Sequence, residues 1–580
     1  MTRVVNQRVN ESASQRVSKS TRKRAAESLI RRIAPWLPAI LFLAVFFFYP
    51  LARILALTFN PALLDGGAFR IAFDALRFTV YQASLSTLLT FILGLPAAVL
   101  FARFEFRGKA LLRALTAIPF MLPTVVVAAG FNALLGPRGW VNLTLFPSAP
   151  IPFVGTLWAI LLAHIFYNTT IVIRIVGNAL SHLDPRLEQA ARTLGADTRR
   201  VWGGVILPLL RGPLLAAGLL VFLFDFTSFG VILLLGGPSF ATLEVEIYIQ
   251  ALQLLNLPVA ALLSLIQLLC TLVFSILYSR IVVRTLVPTT PSPSISRRAK
   301  TLPEKIYVAS FVILLFTFFI LPLLALPIRS LTRLEADRGD RSNVQYGLTT
   351  NYYSELFINR RDSVFYVPPV QAALNSLGYA GATVLFSLLL GFPVASALSN
   401  PGRLEKVLDP LLMLPLGASA VTLGLGFIVT FNRPLFAGSW LLITSPVIIP
   451  LAHTIIALPF VVRTLQPAIL SIPDRLRQAA SMLGASPFRV WLAVDWPILR
   501  RATLSAAVFA FTVSLGEFGA ASLLTRPDFP TLPVAIYRFL SQPGGLNYGQ
   551  AMAMSTILMG VTLTGILLIE RTRLPGAGEF

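Results

Sequence analysis

Few residues of this 580-residue chain are of a type and spacing that performs chemistry. The three histidines are His164, His182 and His453, and no H-E-x-x-H arrangement sets two imidazoles on one helix face for zinc. His164 and His453 lie in apolar stretches, where a packed or hydrogen-bonded imidazole is expected rather than a ligand. Cys270 is the sole cysteine. That leaves neither a disulfide framework nor a thiolate metal site, only a small apolar side chain. Nucleotide hydrolysis needs a glycine-rich phosphate loop ending in Lys-Ser or Lys-Thr. The nearest fragment, Gly108-Lys109-Ala110, lacks the first glycine and the hydroxyl. No catalytic residue, metal site or resident cofactor is predicted. What stands out is a pair of carboxylates inside apolar runs, Asp225 and Glu517. An unpaired charge in a membrane interior costs about 2.5–3.5 kcal/mol or more, so both are candidates to line a translocation path, with structural pairing as the alternative. Arg174 and Arg463 are their candidate partners. Glu244 and Glu246 are expected at a solvated outer rim.

The elements that must position these groups are apolar helices. Hydrophobic residues make up 56% of the chain and charged residues 13%, about half the charged share of a soluble domain. The apolar residues fall in blocks of roughly 20, the length that crosses a hydrocarbon core of about 30 Å. Twelve spans are predicted, centred near Phe46, Leu89, Val126, Leu161, Phe222, Leu265, Leu315, Leu385, Val421, Ile448, Ala510 and Leu558. The net charge of +23 is not a nucleic-acid signature, because the basic residues sit at block ends, where they set topology. The tail 1–34 carries nine Arg or Lys against Glu11 and Glu27. Its first apolar block exceeds the roughly 7–15 residues of a signal-peptide core. Both termini and the connections after even-numbered spans are therefore expected to be cytoplasmic. The loop 329–370, with nearly balanced charge, is left outside. A Pro/Ser-rich linker, 285–304, is expected to be extended and to separate a first half, 35–284, from a second, 305–580.

The halves are copies. Leu162-Ala-His164 returns as Leu451-Ala-His453, Arg174 as Arg463, Gly195 as Gly484, Trp202 as Trp491, Phe229-Gly230 as Phe518-Gly519 and Ile247-Tyr248 as Ile536-Tyr537, all at an offset of 289. Upstream, Gly94-Leu-Pro96 matches Gly391-Phe-Pro393 at 297, which implies a short insertion around Pro137 to Pro152. Six spans per half is even, so both halves cross in the same sense about a pseudo-twofold axis along the membrane normal, with a solute site expected at their interface.

The loop after the fourth span of each half carries the sharpest signal. Asp184 to Pro208 and Pro473 to Pro497 both read as helix, tight turn, helix. Asp184 is a cap with Pro185 at the opening position. Leu187, Ala190, Ala191 and Leu194 form a stripe at helical spacing. Gly195 and Gly484 end the helix in a left-handed residue, Asp197 and Ser486 cap the next helix, and Pro208 and Pro497 open the following span. The Ala-Ala, the glycine after a three-residue gap and the later Pro208 and Pro497 resemble the EAA loop of binding-protein-dependent ABC importer permeases, over about 200 residues in each half. Gln189 and Gln478 stand where that family has an acidic residue, although Glu188 precedes the first, and Trp496 replaces its usual leucine.

The resemblance implies an all-α membrane protein of the type I importer permease fold, in a bacterial or archaeal inner membrane. It implies a coupling helix in each half that docks in a separate ATPase subunit, through Glu188, Gln189, Ala190, Ala191, Gly195 and Pro208, and Gln478, Ala479, Ala480, Gly484 and Pro497. ATP and magnesium are then used by a partner dimer, and an extracytoplasmic binding protein delivers the solute. Fused permeases of this kind resemble the ferric-iron and thiamine or thiamine-phosphate importers. Phe224-Asp-Phe-Thr-Ser-Phe-Gly230, Gly236-Gly-Pro238 and Thr242 to Tyr248 look closer to the thiamine type. The alternative from another class is an ion-coupled secondary transporter, which also has parallel halves.

Overall fold

A computed structural model describes residues 33–58, 66–237, 239–285, 296–337, 340–358, 368–399, 402–433 and 441–572. Most of the tail 1–34, linker residues 286–295 and the last residues, 573–580, lie outside that set. The first half contains α1 (Leu37–Thr58), α2 (Gly66–Arg103), α3 (Lys109–Met121), α4 (Thr124–Leu135), α5 (Leu157–Ser181), α6 (Pro185–Thr193), α7 (Thr198–Phe226), α8 (Gly230–Leu235), α9 (Leu243–Tyr248) and α10 (Leu257–Thr285). The second half repeats the series: α11 (Leu302–Ser330), α12 (Pro369–Leu398), α13 (Arg403–Met413), α14 (Ala420–Phe431), α15 (Ile448–Leu470), α16 (Asp474–Met482), α17 (Pro487–Gly516), α18 (Gly519–Leu524), α19 (Leu532–Leu540) and α20 (Gly545–Thr572).

Among the described residues, ten helices are long and apolar enough to cross a bilayer; α3–α4 and α13–α14 reach that length only as pairs, bent by 111° and 96°. Their count as spans follows from where their neighbours end. Arg103, the last residue of α2, bonds Glu188 just beyond α5 at 3.0 Å, so α2 and α5 finish on the same face. The chain between them must cross once, and α3–α4 makes that crossing. In the second half Gln466, near the end of α15, reaches the Leu398 carbonyl at the end of α12 at 3.3 Å, with the same consequence for α13–α14. Twelve crossings result, each overlapping an expected centre.

The hydrophobic cores are shared between halves. Trp36, Leu43 and Phe47 of α1 and the residue before it pack with Phe427 and Phe431 of α14. Leu315, Phe319 and Leu323 of α11 pack with Val125 to Phe131 of α4. Each half thus lends its first helix to the other. Glycine makes the crossings close: a Cβ on Gly130 would stand 2.7 Å from the Pro322 carbonyl, and one on Gly426 would stand 3.0 Å from Pro50 Cβ. The repeated Gly94 and Gly391 serve the next contact, where a Cβ would meet Val172 or Val461 at 2.7 and 2.9 Å. Overpacking such a site costs about 1–3 kcal/mol. Gly130→Leu and Gly426→Leu are expected to lower the melting temperature of the detergent-solubilised chain by about 1–2 °C each. Gly381→Leu, with no atom within 4 Å of its Cβ, serves as the control that leaves it unchanged.

The two faces differ. The described end of the linker packs against the end of α2. Ser296 bonds Glu105, Arg297 exchanges backbone hydrogen bonds with Arg103 and Glu105 at 3.0 Å each, and Arg297 pairs with Glu304 at the start of α11. The Lys109 ammonium and Ser296 hydroxyl hold the Glu105 carboxyl below the usual carboxylate range. From there α11 runs 29 residues, about 43 Å, to the opposite face. There the loop 329–370 forms the only strands among the described residues, a hairpin of β1 (Thr332–Asp337) and β2 (Asp340–Leu348). The side chains of Trp140, Ile328, Arg329 and Leu348 border a cleft of about 510 Å³ beside it.

Candidate functional site

Two features could do work: a pair of hairpins on one face, and a closure on the pseudo-twofold axis. Each hairpin is built by local chemistry. The Asp184 carboxylate accepts from Arg186 N at 2.9 Å to start α6, and Asp197 accepts from Arg200 N at 2.9 Å to start α7. Ser486 caps α17 through Arg489 N at 3.4 Å. Gly195 and Gly484 have φ of +83° and +80°, and the next residue bonds back five positions, Ala196 N to the Ala191 carbonyl and Ala485 N to Ala480. This is the glycine-terminated helix end expected from the spacing. Pro208 and Pro497 do not interrupt the helix. A π turn, Trp202–Ile206 or Trp491–Asp495, precedes each, widening the helix where proline brings no N–H.

No residue of α6 or α16 is buried. Leu194, Met482 and Leu483 are each 89% exposed, and Leu187, Leu476 and Phe488 also face outward. Apolar patches of this kind mark a surface that meets another protein. Gln189, Ala190, Gln478 and Ala479 are exposed, and Ala191 and Ala480 half-buried. The hairpins are anchored differently. Glu188 ties α6 to α2 through Arg103, whose guanidinium also lies 4.9 Å over the Trp202 ring. At the position equivalent to Glu188 stands Arg477, which pairs with Asp495 at 2.8 Å. The second tie carries the reversed charge and runs to α17, not to α12.

On the axis the repeat meets itself. The rings of Phe229 and Phe518, equivalent residues, stack at 5.4 Å and 25°. Tyr248 lies 5.5 Å from Phe229, and Tyr537 lies 5.6 Å from Phe518. The four rings meet between the halves. Their carriers are set by matching bonds: Leu243 N, opening α9, donates to Thr79 at 2.9 Å, and Leu532 N, opening α19, donates to Ser376 at 2.7 Å.

Asp225 and Glu517 lie beside this closure without opening onto it, 0% and 9% exposed. Their partners are the repeated histidines rather than the arginines. His164 is 3.3 Å from Asp225, which also accepts from Asn168 at 2.6 Å, and His453 is 3.2 Å from Glu517. Arg463 pairs instead with Asp409 at 2.9 Å. Glu244 is not at a solvated rim: it is buried and accepts from Gln267 of α10 at 2.7 Å. Glu246 bonds Gln250 one turn on, at 2.8 Å. Sequence reasoning missed the histidine partners, although His164 and His453 recurring at the common offset was a usable signal. It also missed the aromatic closure, although both Phe-Gly and Ile-Tyr pairs recur.

Residues 91–286 and 387–571 each match the family described as the binding-protein-dependent transport system inner membrane component. The thiamine transport system permease protein ThiP of Brucella abortus is 27% identical over 551 residues, 90% of this chain and 95% of that protein. ThiP of Escherichia coli K12 is 27% identical over 541 residues, covering 91% and 94%. A probable ABC transporter permease protein, y4fN of Sinorhizobium fredii, is 27% identical over 509 residues, covering 86% and 88%. With one matched segment in each half, and the two together spanning well over half its length, this chain belongs to the family of inner membrane components of binding-protein-dependent transport systems.

Proposed function

We propose that this chain is the permease of an ATP-driven importer that brings thiamine or a thiamine phosphate into the cytoplasm. Two separate ATPase subunits would work it, and an extracytoplasmic binding protein would feed it. The observation that carries the reading is the pair of hairpins, with Leu194, Met482 and Leu483 exposed, turned outward from one face of two halves that meet in a stack of aromatic rings. In this reading Gln189, Ala190, Ala191 and Gly195, with Gln478, Ala479, Ala480 and Gly484, seat in the ATPase pair, where ATP and magnesium are used. The hairpin face and both termini are cytoplasmic, and the binding protein docks on the face bearing the β-hairpin. Glutamine at 189 and 478 makes that contact a neutral hydrogen bond where the family loop carries a carboxylate. Closure of the ATPase dimer moves α6 and α16, and Glu188–Arg103 and Arg477–Asp495 carry the movement into the spans.

The names borne by the similar permeases favour thiamine over ferric iron. The chemistry at the axis agrees, since Phe229, Phe518, Tyr248 and Tyr537 offer π faces to a flat aromatic cation. Inverted vesicles are the wrong orientation for import, so the test uses proteoliposomes holding the chain, its ATPase inside and its binding protein outside. Labelled thiamine is expected to accumulate only with internal ATP and to be indifferent to a protonophore. Accumulation without the ATPase, abolished by the protonophore, would replace this reading with an ion-coupled carrier. ATP-dependent uptake of ferric iron but not thiamine would overturn the cargo alone.

A further inference from the structure

We propose that Asp225 and Glu517 are positioning residues for the axial closure, each acting through the histidine of its own half from interchanged sequence positions. At the offset of 289, Asp225 is equivalent to Ser514, and Ser228 to Glu517. The first half therefore reads Asp-x-x-Ser where the second reads Ser-x-x-Glu. The imidazoles nevertheless sit alike. His164 presents Nδ1 to Asp225 at 3.3 Å and to the Ser86 hydroxyl at 3.0 Å, and Nε2 to the Ser228 hydroxyl at 2.8 Å. His453 presents Nδ1 to the Ser514 hydroxyl at 2.7 Å and Nε2 to Glu517 at 3.2 Å. Acid and hydroxyl have traded places around a ring held in one orientation.

What both halves retain is the histidine–carboxylate contact, not the carboxylate's position. A carboxylate kept to face the solute would have no reason to follow the histidine. The contact lies at the break between α7 and α8, and between α17 and α18. Phe229 directly follows Ser228, and Phe518 directly follows Glu517, whose carboxylate also accepts from Ala520 N and Ala521 N at 2.9 and 3.0 Å. Fixing the break fixes the two stacked rings.

Permutation tests this. Asp225→Ser alone is expected to reduce ATP-driven thiamine uptake by about tenfold or more, the scale of a lost hydrogen bond to a charged group. Adding Ser228→Glu, which writes the second-half order into the first, should restore uptake to within about threefold of the parent. The reciprocal pair, Ser514→Asp with Glu517→Ser, should behave the same way. The uptake readout rests on the permease reading, so a second readout does not. In Cys270→Ala membranes carrying Phe229→Cys and Phe518→Cys, a short bifunctional thiol reagent should link the two positions. That yield should fall with Asp225→Ser and return with the permuted pair. Linking that ignores Asp225→Ser, or permuted chains present in the membrane but no better than the single variant in either half, would overturn the proposal. Absence of uptake in the parent with this linking pattern intact would overturn only the permease reading.

Discussion

Gly195→Val together with Gly484→Val is expected to abolish ATP-driven uptake while the chain still reaches the membrane in normal amount. Both glycines hold left-handed backbone, φ +83° and +80°, and a Cβ at either would have no atom within 4 Å. The substitution therefore meets no wall; its whole cost is conformational. A left-handed residue with a side chain costs roughly 1–2 kcal/mol, and valine, stiff at its branched Cβ, sits at the unfavourable end. No residue of α6 or α16 is fully buried against the rest of the chain, so little opposes loss of the turn. Leu194 and Leu483, each immediately before its glycine, then lose the direction in which they point. Docking through two such sites should weaken by at least about tenfold, one step of 1.4 kcal/mol. The measurements are co-purification of the ATPase, and uptake per ATP hydrolysed. Gly203→Ala, in the π turn of the same segment, with no neighbour within 4 Å of its Cβ and no left-handed φ, should change neither. Normal uptake by the double valine variant would remove the hairpins from the coupling path.

Phe229→Ala with Phe518→Ala is expected to turn a tight permease into a leaky one. Truncating a buried phenylalanine costs about 3–5 kcal/mol in a closed core, and these two bury their faces against each other. Their removal strips the centre from the four-ring closure and leaves Tyr248 and Tyr537 facing a gap. Liposomes loaded with labelled thiamine and carrying the variant, without ATP, should lose it at least about tenfold faster than the parent, a barrier change of 1.36 kcal/mol or more. Trapped dextran should stay, which separates an opened path from a broken bilayer. Retention equal to the parent would place the barrier elsewhere along the axis.

These expectations draw on different depths of information. The hairpin was legible residue by residue, because capping by Asp184 and Asp197, the left-handed glycines and the proline before each span are decided within a few positions of chain. The twelve crossings and the duplication were legible for a similar reason, as length, apolarity and recurrence are properties of the sequence itself. Even Gly94 and Gly391 announced themselves by repeating, though not that Val172 and Val461 were what they accommodate.

Contacts between distant residues were another matter. Arg174 and Arg463 were candidate partners for Asp225 and Glu517 because they lie on the preceding spans, whereas the histidines of those same spans, α5 and α15, are what face α7 and α17. Glu244 was read as a rim group because its sequence neighbours are near a loop; α10 instead covers it. The exchange of α1 and α11 between halves left no mark in the pattern at all.

What this sequence determined by itself was the membrane, the count of crossings, the doubled architecture and the two turned-out hairpins. What only the tertiary structure decided was which side of each helix faces its neighbour: the crossed first helices, the ring closure on the axis, and the interchanged acid and hydroxyl beside each histidine. The reason is physical. In water an amphipathic stripe declares the buried face of a helix. Lipid tails are as apolar as a protein interior, so the rotation of a membrane helix is settled by close packing and by a few polar pairs that a linear pattern does not reveal.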